Sequence, residues 1–179
     1  MRFFRNINWW VVGVTVAILL LVLWVKPLGS DGAAWNEASR QAADAYEAGK
    51  FAEAESHANA AMRSLNASDL SDVRVGDTAM LLGMIYEKTD RAEKSAEAYR
   101  RAVDVYRTSL GPASPRVGDA LLALATVHAT QSQWREAEAA ASAALKNFHL
   151  SSPRPDKVAA AESLLTTAEA ARRNPTTQP

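Results

Sequence analysis

The tetrapeptide Arg-Val-Gly-Asp occurs twice, at residues 74–77 and 116–119, a spacing of 42 residues. A fixed period of roughly 20–50 residues marks a chain built from stacked supersecondary units. Superposing the two segments puts Leu82 on Leu124, Gly83 on Ala125, Ile85 on Val127, Tyr86 on His128, Ser95 on Ala137 and Ala102 on Ala144. Small residues meet small ones, and apolar residues meet apolar ones. Upstream, "KFAEAESHANAAM" from Lys50 matches "QWREAEAAASAAL" from Gln133, with Phe51 on Trp134, Glu53 on Glu136, Ala54 on Ala137 and Ala61 on Ala144. That offset, 83 residues, is about two periods, so three copies occupy roughly residues 33–150.

Each copy reads as two helices with apolar or small residues at three- and four-residue steps. In the second copy Met80, Leu81, Met84 and Ile85 stripe the first helix, "EKTDRA" turns the chain, and Tyr99, Ala102, Val103 and Tyr106 stripe the second. Ser114 followed by Pro115 is a helix start, a hydroxyl cap with proline at the first helical position, and Ser71-Asp72 is its counterpart one copy earlier. Glycine inside a helix costs about 1 kcal/mol relative to alanine, so Gly76 and Gly118 at one aligned site predict close helix contact. A single pair cannot bury its own apolar faces, so the pairs must stack. Past the third copy, "SPRPDKVAAAESLLTTAEAARR" reads as one further amphipathic helix over 155–173 that caps the stack, and the tail 174–179 is expected to be disordered. The expected fold is all-α, an α-solenoid over 34–173 with pairs at 34–66, 71–110 and 114–149.

The pattern resembles the tetratricopeptide repeat (TPR). Its small contact residues fall on Ala42, Ala54 and Ala61 in the first copy, Gly83, Ser95 and Ala102 in the second, and Ala125, Ala137 and Ala144 in the third. Phe51 and Trp134 are the aromatics that open second helices, whereas Ala92 stands at the equivalent place in the middle copy. The 42-residue period and the Leu110-Gly111-Pro112 connector are similar to the kinesin-light-chain-like variety, with Ser114 where that variety carries histidine. The resemblance implies that first helices line a partner groove. Its positions would be Asn36, Ser39, Ala43 and Tyr46; Asp77, Met80, Met84 and Glu87; and Asp119, Leu122, Thr126 and Ala129. The plainer alternative is that several of these face water or touch the next pair. Met80, Met84 and Leu122 would make an adaptable apolar strip suited to a helix or extended segment. Asp77, Glu87 and Asp119 would make its rim acidic. The family's basic clamp for a terminal carboxylate is not evident, since lysine is missing from these sites and Arg40 stands alone.

Residues 7–25, "INWWVVGVTVAILLLVLWV", carry no charge. As a helix they would span roughly 28 Å, near the hydrocarbon thickness of a bilayer. Trp9, Trp10 and Trp24 lie near the two ends, where indole rings favour the headgroup boundary. Residues 1–26 are therefore expected to form a single N-terminal transmembrane anchor, with 27–33 as linker. The rival is a cleavable secretory signal, against which stand the length of the apolar run and the poor cleavage pattern in "KPLGSDGAA". Arg2, Arg5 and the terminal amine outnumber Lys26 across the span, which predicts a cytoplasmic N-terminus and an extracytoplasmic repeat domain, periplasmic in a bacterium.

Arg2, Arg5 and Lys26 are the only charged side chains before Asp31, so the rest of the chain holds 17 basic and 20 acidic residues. A mildly acidic domain has no footprint for nucleic acid. With no cysteine there is no disulfide framework, thiolate zinc site or cysteine nucleophile. His57, His128 and His149 lack ligating neighbours at metal-motif spacing, and His128, aligned with Tyr86, reads as interhelical packing. No glycine-rich phosphate loop occurs, and the "EAEA" carboxylates at i and i+2 diverge. The expectation is a non-enzymatic, cofactor-free scaffold that binds a protein partner as a subunit of a membrane complex, or a chaperone-like factor beside a translocation site. The alternative of another class is a homo-oligomeric structural or signalling element.

Overall fold

The computed structural model describes residues 30–65, 69–151 and 154–173. Among these residues all regular structure is helical: α1 (Ser30–Glu47), α2 (Phe51–Ser64), α3 (Val73–Lys88), α4 (Ala92–Leu110), α5 (Pro115–Thr130), α6 (Trp134–Leu150) and α7 (Pro155–Arg173). α1 begins at Ser30, inside the expected linker. The expected anchor 1–26 with Trp9, Trp10 and Trp24, residues 27–29 of the linker and the tail 174–179 lie outside the described residues. No helix among the described residues is long and apolar enough to cross a membrane.

The helices form three antiparallel pairs, α1–α2, α3–α4 and α5–α6, and α7 packs on α6 and α5. Each pair is closed by the same turn. Gly49 N–H donates to Tyr46 O and Lys50 N–H to Ala45 O; Asp90 and Arg91 repeat this on Glu87 and Tyr86, and Ser132 and Gln133 on Ala129 and His128. This pairing satisfies carbonyls left over at a helix end and puts one residue in the left-handed region. Those residues are Gly49 (φ 73), Asp90 (φ 55) and Ser132 (φ 56). Only the first is glycine, which explains why the composition of the three turns hides their identity.

Starts of the first helices are less uniform. Asp72 caps α3, its carboxylate accepting from Arg74 N–H at 3.0 Å. Ser114 occupies the equivalent place on α5 with extended backbone ahead of Pro115, but its hydroxyl makes no capping hydrogen bond. Proline has already removed one orphan donor and preset the φ of the first turn.

All nine small positions named above are buried, the eight bearing a Cβ at 0% exposure. Small side chains there let the two axes of a pair approach, and long aromatics on the second helix fill the space. A Cβ on Gly76 would meet the Tyr106 ring at 2.7 Å, and Gly83 and Gly118 would run into Tyr99 and Phe148. Ser95 also donates to Gly83 O at 2.9 Å, tying α4 to α3 at their closest approach. Phe51 is half-buried against Tyr46, edge to face with centroids 5.7 Å apart. The core is shared across pairs: Ala79, Tyr106, Val117, Leu121, Phe148 and Ala161, from five helices, form one cluster. Stacking of pairs, not any one hairpin, removes these side chains from water.

Candidate functional site

The twelve positions expected to line the groove lie on α1, α3 and α5, and none is buried. Asn36, Ala43, Glu87 and Thr126 are exposed, and Ser39, Tyr46, Asp77, Met80, Met84, Asp119, Leu122 and Ala129 are half-exposed. Met80 and Leu122 rest on the same buried cluster, and Met80 and Met84 share the next one. The three therefore form an apolar strip whose inner side belongs to the core and whose outer side is open. α1 touches α3.

The rim differs from the expectation of free negative charge. Arg116, from the start of α5, donates to Asp77 at 2.6 Å, and Tyr106 Oη donates to the same oxygen at 2.8 Å. One pair further on, Arg154 donates to both oxygens of Asp119, at 2.9 and 3.0 Å. Each guanidinium also lies over the ring that fills the glycine gap, Arg116 at 5.7 Å from the Tyr106 centroid and Arg154 at 5.2 Å from that of Phe148. A glycine, an aspartate, an aromatic and an arginine from three successive segments thus recur as one latch between pairs. At the first junction Arg74 lies 5.8 Å from the Trp35 centroid and pairs with Asp72, while Trp35 Nε1 donates to Thr78 Oγ1 at 2.9 Å. The latch neutralises the two aspartates that the sequence suggests as rim charges. Glu87 accepts from Tyr99 Oη at 2.9 Å. Burial, then the facing carboxylate, pushes the Tyr99 phenol far up, and burial followed by Asp77 does the same to Tyr106, so both remain neutral donors. Arg40 is held by Glu37 and Asp44.

Sequence reasoning missed Arg116 and Arg154. The signal was present: "SPR" at 114–116 returns at 152–154, and Tyr106 and Phe148 share the 42-residue period. On the opposite side of the stack, α2, α3 and α4 enclose a cleft of about 310 Å³ with Met62, Leu82 and Tyr86 in its wall and Lys94, Glu97 and Arg101 at its mouth. Beside it Arg91 donates to Glu55 through both terminal nitrogens, at 2.7 and 3.0 Å, and lies 4.6 Å from the Tyr86 centroid. This joins the second helix of one pair to the next pair.

His128 is buried, with Nδ1 against Gln133 Oε1 and Nε2 3.4 Å from Arg100. A ring that donates through Nδ1 and accepts at Nε2 satisfies both contacts, so interhelical packing uses the whole imidazole. His57 is half-buried on α2 and His149 exposed near the end of α6. Among the described residues no three His, Asp or Glu side chains come together in a way that holds a metal ion.

An α-solenoid of antiparallel helix pairs, with small residues at the crossings and an open apolar strip on the first helices, defines a class of repeat domain used for protein–protein contact. Residues 74–148 match the model of the tetratricopeptide repeat family. No curated protein matches the chain. Among solved structures 32 chains match. One is the crystal structure of BtubC (BKLC) from P. vanneervenii, with 20% identity and a TM-score of 0.58 over 80% of this chain and 67% of that one. At that identity the likeness extends to the fold and no further.

Proposed function

We propose that this chain is a membrane-anchored tetratricopeptide scaffold of the longer, kinesin-light-chain-like variety, whose repeat domain docks another protein outside the cytoplasm as an accessory subunit of a membrane complex. The observation that carries the docking is the half-exposed strip of Met80, Met84 and Leu122 on successive first helices. Methionine adapts its shape to an apolar partner segment, and the latched aspartates leave the strip's border polar without a strong field. The anchor rests on the uncharged segment 7–25 and its flanking tryptophans. The side of the membrane rests on the excess of cations before that segment.

Affinity purification of the full chain from mild detergent, followed by mass spectrometry, tests the reading. A stoichiometric protein that is lost on Met80→Glu with Leu122→Glu supports it. Recovery of the chain alone, folded by circular dichroism, overturns it, and a self-associated chain in light scattering would assign the strip to a second copy.

A further inference from the structure

Among the described residues the exposed large apolar side chains are Leu70, Leu110 and Leu150, at 42%, 44% and 65% exposure. They are not scattered. Each stands near the junction where a second helix hands the chain to the next first helix, one per pair. Every such junction lies on the same edge of the stack: Gly32, at the start of α1, sits beside the Arg74 guanidinium, Arg116 reaches back to Asp77, and Arg154 reaches back to Pro115 O. The opposite edge, made of the turns at 48–50, 89–91 and 131–133, carries no exposed large apolar side chain.

The leucine edge also carries exposed cations. Arg63, Arg107 and Lys146, in or near the last turn of the three second helices, are exposed on the leucine edge. Of the acidic groups there, Asp72, Asp77 and Asp119 are matched by arginines, Asp69 accepts from the Ser71 hydroxyl and amide, and Asp156, in the first turn of α7, is exposed. α1 starts on this edge too, and residues 1–29 join the domain there. Only residues 26–29 separate the apolar segment from Ser30, a leash of at most about 14 Å.

We infer that the leucine edge is a membrane-contact surface: the domain stands on this edge, with Leu70, Leu110 and Leu150 in the headgroup layer of a bilayer containing anionic lipid and Arg63, Arg107 and Lys146 against its phosphates. The inference rests on the membrane-anchor reading and deepens it, since a tether alone would leave the domain free to present any face. Leucines at repeat intervals supply apolar area on one plane, and lysine and arginine near an anionic surface add an attraction that salt screens. In this orientation both long sides of the stack, including the Met80, Met84 and Leu122 strip, remain accessible to a partner.

The chain has no cysteine, so single-cysteine labelling is clean. The full chain is reconstituted into vesicles of phosphatidylcholine with or without phosphatidylglycerol, carrying an environment-sensitive fluorophore at Leu70→Cys, Leu110→Cys or Leu150→Cys, with Lys50→Cys and Lys88→Cys as controls on the other edge. The expected result is several-fold stronger quenching by a lipid-borne quencher, and weaker quenching by an aqueous one, at the three leucine positions than at the controls. The contrast should grow with phosphatidylglycerol and shrink when Arg107→Glu and Lys146→Glu are introduced. Equal quenching at both edges, in a chain that stays with the vesicles after an alkaline wash, overturns this inference and leaves the anchor intact. Protection from the aqueous quencher without access by the lipid-borne one places a second copy or another protein on the edge and also overturns it. Loss of the chain from the vesicles overturns the anchor and the inference together.

Discussion

Replacing Gly118 with leucine should lower the stability of the whole stack. A Cβ there would stand 2.5 Å from Asn147 Oδ1 and 2.8 Å from Phe148 Cδ1, well inside contact. Neither neighbour has room to retreat. Phe148 is fully buried, and Asn147 is 4% exposed with its amide nitrogen donating to Pro112 O at 2.6 Å. Intrinsic helix propensity works the other way and favours leucine over glycine by about 1 kcal/mol. Overpacking a filled site costs about 1–3 kcal/mol and sometimes more. Leucine brings three carbons beyond the one already in collision, so the upper part of that range applies and the net loss should be about 2 kcal/mol. For a chain of this size that is a drop of roughly 4–8 °C in Tm. The assay is thermal unfolding of the full chain in detergent by far-ultraviolet circular dichroism. In a Phe148→Ala background, where the ring that collides is gone, Gly118→Leu should cost less than it does alone. An unchanged or raised midpoint in the single variant would show that propensity dominates and that α5 and α6 are not in close register at this crossing.

Three further outcomes follow from the same geometry. Ser132 occupies a left-handed position that glycine fills in the first pair, so Ser132→Gly should raise stability by about 0.5–1 kcal/mol, and a lower melting temperature would contradict the shared turn. The Arg154–Asp119 latch is roughly one-third exposed on both sides, so a double-mutant cycle of Arg154→Gln and Asp119→Asn should give a coupling of about 0.5–1 kcal/mol, weaker in high salt; no coupling at low salt would remove the latch from the account. The hydrogen bonds from Arg91 hold the Glu55 carboxyl below its ordinary value of 4.5, so its stabilisation is present above that value and is lost as pH falls through the folded one. Glu55→Gln should therefore be less stable at neutral pH and show a shallower loss below about pH 4.5, whereas identical acid limbs in denaturant titrations would refute the pairing.

The helix pairs were legible because their cause is local and periodic. Alanine at 54, 61, 137 and 144 and serine at 95 recur in register, since a crossing point tolerates only small side chains whatever surrounds it, and all of them are buried. The turns were legible as breaks but not as one motif. Residues as different as Gly49, Asp90 and Ser132 adopt the same left-handed conformation because the backbone hydrogen bonds of the turn, not the side chains, select it. The rim was misjudged for a different reason. Asp77 looks free along its own helix, and its partner Arg116 stands 39 residues away on the next pair. Charge pairing across a stacking interface becomes visible only when the register of one pair on the next is known.

The same register extends to α7. Arg154 repeats the role of Arg116 on Asp119, so α7 is placed as the first helix of a fourth pair would be, and Val158 and Ala161 extend the shared core onto it. A second helix would then have to pack on the remaining side. There α7 presents Glu162, Ser163, Thr166 and Thr167, all exposed, and both threonine hydroxyls donate to carbonyls of their own helix, at 2.9 and 2.8 Å. That face offers a neighbouring helix little apolar area to bury. The latch that passes each pair to the next therefore works once more at α7.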